Sequence, residues 1–243
     1  MNLAHRGARA IAPENTLAAF TAAQKLGADG VELDVFLCAS KELVVTHDDD
    51  LSIWTSSNGM VSTSPLSLLK TLDFGSHFSS EFAGEQIPTL QEVIDSLATT
   101  MFINIEVKTL SLKPMAEVLA VAQLISKNNL YQRVLVSSFN PLVLYHLKRV
   151  DSKIAKGLLF ESRLPIYVKT IGSAILKLQA VHPNKDFTDE KLMLWAKQVR
   201  CLVNTWTVND KDEMRQLIHL GVDAIITDYP DRLKELFLEE NLV

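Results

Sequence analysis

Eight short apolar runs, each long enough for one β-strand, alternate with helical patterns along nearly the whole of this 243-residue chain. Such alternation is typical of a parallel sheet whose strands are joined by helical crossovers. Eight strands, each with a following helix, predict an α/β fold of the closed (β/α)8 or TIM-barrel type, which commonly forms one domain at this length. The predicted strands are residues 2–5, 30–35, 101–107, 134–137, 154–160, 179–182, 201–206 and 224–227.

Helical periodicity fills the intervals between these strands. Asn15-Thr16 and Asp210 are candidate N-caps by residue type, and Gly27 and Gly221 stand where a glycine commonly ends a helix. These signals agree with the spacing of the apolar residues. The clearest helical segments are residues 16–26, 114–127, 141–150 and 210–220.

One additional strand-like run, residues 43–47, follows the second strand too closely for a parallel crossover. We therefore expect it to return as the antiparallel arm of a hairpin with its turn at 39–42. With that turn centred between Ser40 and Lys41, Asp34 lies opposite His47, and directly opposed side chains share a face. The hairpin is thus expected to deliver His47 to the side of the sheet that carries Asp34.

The periodicity fails from residue 48 to residue 88, a stretch rich in serine, threonine and glycine. Unstructured loops of this length are uncommon in compact domains. We expect a small inserted subdomain at 48–88, after the hairpin of the second strand and over one end of the barrel. The whole chain, 1–243, is then a single barrel domain.

Composition and charge exclude several classes of partner. The net charge is −5 and the isoelectric point is near 5.7, so the chain lacks the basic character of a nucleic-acid-binding protein. Cys38 and Cys201 are far apart in sequence and fit buried thiols better than a disulfide or a zinc site.

The first strand follows Met1 too closely for a signal peptide, and no apolar run approaches the ~20 residues of a membrane span. We expect a cytoplasmic protein without a membrane anchor.

Active sites of (β/α)8 barrels lie at the C-terminal ends of the strands. Polar and reactive side chains collect at those positions here, which is a test of the predicted fold. They are His5 and Arg6 after the first strand, Glu32 and Asp34 on the second, Glu106 and Lys108 on the third, His182 on the sixth, Trp206 on the seventh and Asp228 after the eighth.

Glu32 and Asp34 are two residues apart on a strand, so their side chains point to one face. Carboxylates directed into a barrel are costly unless they are neutralised. Glu106 completes an oxygen-only set that suits one Mg²⁺ or Ca²⁺ ion. The alternative is a carboxylate pair bound to Arg6 or Lys108 alone. The net charge favours a metal site over such a pair. Three carboxylates, one divalent ion, Arg6 and Lys108 together carry a charge of +1, which complements one phosphodiester anion.

His5 and His47 converge on the same predicted metal site, and their ordinary pKa makes both the acid and the base form available near neutral pH. The alternative is two ordinary histidines at strand ends. Trp206 fits either core packing or a wall of the substrate site.

The motifs along the chain match a known pattern from end to end. The chain resembles the glycerophosphodiester phosphodiesterases, which are (β/α)8 barrels with a small insertion. The motifs that carry the resemblance are His5-Arg6-Gly7, Pro13-Glu14-Asn15-Thr16, residues 27–35, residues 43–48, Phe82-Ala83-Gly84, residues 87–90, Asn104-Ile105-Glu106-Val107-Lys108, His182-Pro183, Trp206-Thr207-Val208-Asn209, Gly221-Val222-Asp223 and Thr227-Asp228-Tyr229-Pro230.

The resemblance implies a role for each candidate residue. His5 and His47 correspond to the general base and general acid. The divalent ion is held at Glu32, Asp34 and Glu106, while the substrate pocket is lined by Arg6, Lys108, His182 and Trp206. The family hydrolyses glycerophosphodiesters, such as glycerophosphocholine and glycerophosphoethanolamine, to glycerol 3-phosphate and an alcohol. Attack by the glycerol 2-hydroxyl, through a cyclic phosphate, is one route that exploits proximity.

Two other functions compete with this interpretation. One is a lipid phosphodiesterase of the lysophospholipase D or sphingomyelinase D kind, against which the missing signal peptide, the missing disulfide and the polar 48–88 segment argue. The other is a non-catalytic barrel that binds metal or phosphate, against which the complete catalytic set argues.

Overall fold

In the computed structural model, which describes residues 1–109 and 111–240, eight parallel strands close into a barrel. The first strand pairs with both the second and the last, so the cylinder is complete and the predicted (β/α)8 barrel is confirmed. The parallel strands are β1 (Asn2–His5), β2 (Gly30–Leu37), β4 (Phe102–Val107), β5 (Val134–Ser138), β6 (Ala155–Phe160), β7 (Ala180–Pro183), β8 (Leu202–Thr205) and β9 (Ala224–Thr227).

Helices connect consecutive barrel strands and cover the outside of the cylinder. Thr16 and Asp210 cap their helices as predicted, since each side chain accepts a backbone N–H of the first turn. Gly221 ends a helix with φ of 87°, in the left-handed region that favours glycine. The helices are α1 (Leu17–Lys25), α2 (Leu66–Leu69), α3 (Leu90–Ser96), α4 (Met115–Lys127), α5 (Pro141–Val150), α6 (Ile166–Leu176), α7 (Glu190–Val199), α8 (Lys211–Leu220) and α9 (Pro230–Glu239).

Strand β3 (Leu43–Val45) returns antiparallel to β2 as expected, but the predicted register is wrong by one residue. Val35 pairs with Val45, so the residue opposite Asp34 is Thr46 rather than His47. The Thr46 N–H donates to the carbonyl oxygen of Asp34 at 3.0 Å, which continues the same pairing.

The turn of this hairpin explains the shift. The Cys38 N–H donates to the Glu42 carbonyl oxygen, and this leaves three residues in the loop instead of the even number assumed from the sequence. Lys41 closes the loop in the left-handed region, with φ of 74°. A three-residue loop with a left-handed last residue is a common hairpin connection, and it moves the register by one position.

Residues 48–88 form short helical turns and pack against the hairpin in one hydrophobic cluster. Leu51, Val61, Leu69 and Phe74 are buried in this cluster together with residues of the hairpin and its flanks. The segment therefore shares a small hydrophobic core with the hairpin. A separate inserted subdomain at 48–88 stays a prediction.

Alternation along the strands separates an apolar outside from a polar inside. Val31 and Leu33 are buried in the main hydrophobic core, whereas Glu32 and Asp34 belong to the buried polar residues. Polar side chains are also buried on β7 and β8, where His182 lies beside Asn204. Across residues 1–109 and 111–240, no helix has both the length and the hydropathy needed to cross a membrane.

We predict that Gly157→Ala lowers the free energy of unfolding by about 1–3 kcal/mol, the usual cost of overpacking. A Cβ at this β6 position lies 2.5 Å from Nε2 of the buried His182 ring. The matched control is Gly172→Ala in α6, where a Cβ has no neighbour within 4 Å and alanine is the better helix former. Urea unfolding of both variants measures the difference, and equal stability of the two would contradict this account of the barrel interior.

Candidate active site

Three carboxylates converge at the C-terminal end of the barrel. Glu32 and Asp34 project from β2, and Glu106 lies beside Asp34 in the register of β2 and β4. Each of the three is buried, and each offers a ligand oxygen that lies within 4.8 Å of the other two. An oxygen-only group of this size and charge matches the preference of Mg²⁺ or Ca²⁺.

Two cations partly neutralise this cluster. Lys108 Nζ lies 2.8 Å from Glu106 Oε1 and 3.2 Å from Asp34 Oδ1. Arg6 Nε lies 3.3 Å from Asp34 Oδ2, while its Nη1 donates to Glu14 Oε1 at 2.6 Å. Asp34 is thus the carboxylate with the most positive surroundings.

The acidity of the three carboxyls follows from this arrangement. Burial, together with the charges of Asp34 and Glu106, raises the pKa of Glu32 well above its ordinary value. Burial and the charge of Asp34 raise the pKa of Glu106 to about 7. For Asp34, burial raises the pKa, but Lys108 and Arg6 outweigh it, so its pKa is lowered. The cluster therefore retains protons at neutral pH unless a further cation displaces them.

His5 is held by a carboxylate on the last strand-to-helix loop. Its Nδ1 lies 2.6 Å from Asp228 Oδ1, and Asn209 donates to the other oxygen of Asp228 at 2.7 Å. We assign the Nδ1–H tautomer because the carboxylate only accepts. Burial lowers the pKa of His5, and the hydrogen bond that its Nδ1–H donates to Asp228 opposes that shift. His5 is accordingly a neutral imidazole at pH 7, with Nε2 unprotonated.

His47 follows β3, where the chain bends, and it reaches the same cavity as His5 despite the shifted register. Its Nδ1 lies 3.1 Å from Asp48 Oδ2. The cavity has a volume of about 190 Å³. Its lining comprises His5, Arg6, Glu32, His47, Asn104, Glu106, Lys108, Phe139, Leu159, Glu161, Trp206, Thr207 and Ile226.

An aromatic pair forms one wall of the cavity. The rings of Trp206 and Phe139 meet edge to face, with 5.6 Å between their centroids. Trp206 Nε1 donates to the carbonyl oxygen of His182 at 2.8 Å, which fixes the orientation of the indole. The wall leaves a small polar space between the aromatic rings and the carboxylates.

His182 does not contribute its ring to this cavity. The ring is fully buried inside the barrel, with Nε2 located 3.2 Å from Asn204 Nδ2. Burial lowers the pKa of His182 to about 3, so the ring is uncharged. The structure therefore separates His182 from the other predicted substrate-binding residues, which line the cavity.

Several residues of the site were given no role from the sequence, although Asp228 was among the polar residues at the strand ends. Asp228 directly follows β9, and its carboxylate accepts a hydrogen bond from His5. Asn104 lies two residues before Glu106 on β4. Phe139 directly follows β5, and Glu161 directly follows β6. For Asp228, Phe139 and Glu161 the available signal was a position just after a barrel strand, which does not reveal which way the side chain turns. For Asn104 it was the spacing of two residues from Glu106 on the same strand.

A closed parallel barrel whose reactive side chains meet at the C-terminal ends of its strands defines the class, a (β/α)8-barrel enzyme. Comparison with known proteins identifies the family. The profile of the glycerophosphoryl diester phosphodiesterase family matches residues 5–232. A glycerophosphodiester phosphodiesterase of Caldanaerobacter subterraneus subsp. tengcongensis is 38% identical over 237 residues, which cover 96% of each chain.

The structural comparison agrees. A phosphodiesterase of Oleispira antarctica, solved in complex with its product sn-glycerol-3-phosphate, superposes with a TM-score of 0.88 at 31% identity. The match covers 96% of this chain and 94% of that one. The chain therefore belongs to the glycerophosphodiester phosphodiesterase family, and it is a phosphoric diester hydrolase.

We predict that Asp228→Asn lowers kcat by roughly 10²-fold, the lower end of what a positioned acid–base group contributes. The variant keeps the shape of the side chain but removes the negative charge that raises the pKa of His5. The acid limb of the kcat/KM profile therefore moves to lower pH. A pH–rate profile identical in position to that of the wild type would contradict the role of Asp228 in holding His5.

Proposed function

We propose that this enzyme hydrolyses glycerophosphodiesters, such as glycerophosphocholine and glycerophosphoethanolamine, to sn-glycerol 3-phosphate and the free alcohol. The observation that supports this most is the meeting of His5, His47, Glu32 and Glu106 in one cavity of about 190 Å³, with a ligand oxygen of the buried Asp34 within 4.8 Å of those of the two glutamates. The sn-glycerol-3-phosphate bound by the Oleispira antarctica phosphodiesterase supports the same product.

The charges of the cavity support a divalent cation as part of this function. Arg6 and Lys108 leave the three carboxylates with one uncompensated negative charge, and burial together with the charge of Asp34 raises the pKa of Glu106 to about 7. Glu32, Asp34 and Glu106 would hold one Ca²⁺ or Mg²⁺ ion, which when bound polarises a phosphoryl oxygen and stabilises charge in the transition state.

Arg6 and Lys108 are placed to bind the phosphodiester anion. Both line the cavity, and each side chain remains partly exposed beside the buried carboxylates. With the divalent ion included, the site carries a net charge of +1, which matches the single charge of the substrate. The Trp206 wall would exclude water from one side of the substrate, and we assign the buried His182 ring no direct contact with it.

The two histidines would move the protons of the reaction. In the first step the glycerol 2-hydroxyl attacks phosphorus, its proton passes to the unprotonated imidazole, and the bond to the alcohol breaks as the second imidazole protonates the leaving oxygen. Water then opens the cyclic phosphate with the roles reversed, so both imidazoles regain their starting states. The neutral state of His5 and its fixed Nδ1–H favour His5 as the base of the first step.

A cytoplasmic location belongs to the same proposal. Cys38 and Cys201 are separate buried thiols, which fits a reducing compartment.

The substrate is tested by following release of sn-glycerol 3-phosphate from glycerophosphocholine in the presence of Ca²⁺ or Mg²⁺. We expect turnover that EDTA abolishes and that either added cation restores. Activity that persists in EDTA would contradict the metal role. A strong preference for lysophosphatidylcholine over its deacylated analogue would favour the lipid phosphodiesterase instead.

The histidines are tested separately. His5→Ala and His47→Ala should each lower kcat by about 10²- to 10⁴-fold, the contribution of positioned acid–base groups. His219→Ala is the matched control, since His219 lies at the exposed end of α8 and pairs with Glu240. Steady-state kinetics on glycerophosphocholine measure all three, and near-normal turnover of either cavity variant would remove that histidine from the mechanism.

A further inference from the structure

Helix α6 carries an apolar surface that is exposed to solvent. Tyr167, Ile171 and Ile175 are spaced four residues apart, so they lie on one face of the helix, and Val168 borders them. Their exposed fractions are 65%, 57% and 53%, respectively, and Val168 is exposed as well. Contiguous exposed groups of this kind mark interaction sites. We call Tyr167, Val168, Ile171 and Ile175 the α6 stripe.

The α6 stripe is not the face by which the helix packs on the barrel. Toward the barrel α6 buries only Ser173 and Leu176, whereas α4 buries four apolar side chains. At 3.6 residues per turn, Ser173 and Leu176 fall on the side of the helix opposite to Ile171. Core packing therefore does not explain why the outer side of this helix is apolar.

Positive charge accumulates in the same part of the molecule. Residues 162–184, which include the stripe, contain the cations Arg163, Lys169 and Lys177, although the net charge of the chain is −5. Between 162 and 185 the sequence has no acidic residue. Lys148 Nζ donates to the Ile175 carbonyl oxygen at 2.7 Å, which places an ammonium group at one end of the stripe. Arg163 precedes the other end and stays largely exposed while it pairs with Asp189.

The stripe begins beside the mouth of the active-site cavity. Residues 161–165 connect β6 to α6, and the first of them, Glu161, lines the cavity. Ile166 and Tyr167 open the helix at this rim. Phe139, which follows β5, lines the cavity and is also exposed. A flat surface bound along α6 would therefore lie next to the cavity mouth.

We propose that the α6 stripe and its surrounding cations dock this enzyme onto the surface of an anionic lipid bilayer. Apolar side chains flanked by lysine and arginine are the combination by which interfacial helices bind such surfaces. A nucleic acid would match the positive charge, but its phosphate backbone would make no apolar contact with the isoleucine side chains. A twofold contact with a second copy would bring two positive surfaces together. The proposal concerns binding and holds for any substrate of the cavity.

The test is co-sedimentation with vesicles of equimolar phosphatidylcholine and phosphatidylglycerol, compared with vesicles of phosphatidylcholine alone. We expect the wild-type protein to bind the anionic vesicles at least about tenfold more tightly, with binding that weakens as salt rises. The double variant Ile171→Glu with Ile175→Glu should lose about tenfold or more of that binding. Its turnover of soluble glycerophosphocholine should match the wild type, since neither residue lines the cavity.

Leu194→Glu is the matched control, because Leu194 on α7 is 63% exposed and lies outside the stripe. It should bind the vesicles as the wild type does. Equal binding of the wild-type protein to anionic and neutral vesicles would overturn the proposal, and so would an equal loss in the control. A dimer in light scattering that the double variant dissociates, without vesicle binding by the wild type, would assign the stripe to a contact between copies.

Discussion

Repulsion among Glu32, Asp34 and Glu106 is the constraint on which the rest of the site depends. Their ligand oxygens lie within 4.8 Å of one another at buried positions, where charge is poorly screened. Lys108 and Arg6 surround Asp34 and keep its carboxyl ionised. The other two carboxyls are left with raised pKa values, which supports the proposal that one divalent ion completes the cluster. Both basic residues lie beside the same carboxylates at the rim.

The convergence of the two histidines follows from unequal strand lengths. β1 ends at His5, opposite Glu32, while β2 continues to Leu37. The exposed edge of that extension is taken by β3, which runs back toward the end of β1. His47 leaves β3 at this point and enters the cavity that His5 also lines. A hairpin that is not part of the closed barrel thereby brings the second histidine of the proposed catalytic pair to the cavity.

The sequence predicted the parts of this structure that depend on local signals. Strand and helix positions follow from apolar spacing, and the caps at Thr16 and Asp210 follow from side chains that bond to their own helix. The predicted hairpin register was wrong because the register depends on the left-handed backbone conformation of Lys41. A lysine in the sequence gives no indication of that conformation, which non-glycine residues rarely adopt.

His182 marks a second limit of prediction from the sequence. Its place on β7 predicted an inward side chain, which the structure has, but the ring turns into the space beside Gly157 rather than toward the cavity. This ring orientation depends on Gly157 on the neighbouring strand β6, where a Cβ would lie 2.5 Å from His182 Nε2. Asp228 is the converse case, since its contact with His5 joins the two ends of the chain and has no local signal.

Calorimetric titration of the metal-free enzyme with Ca²⁺ or Mg²⁺ at pH 7, in two buffers of different ionisation enthalpy, tests the central claim most directly. The account predicts one ion per chain and a net release of protons, because the ion must displace protons held by Glu32 and Glu106. The absence of saturable binding, or binding whose heat is the same in both buffers, would contradict it.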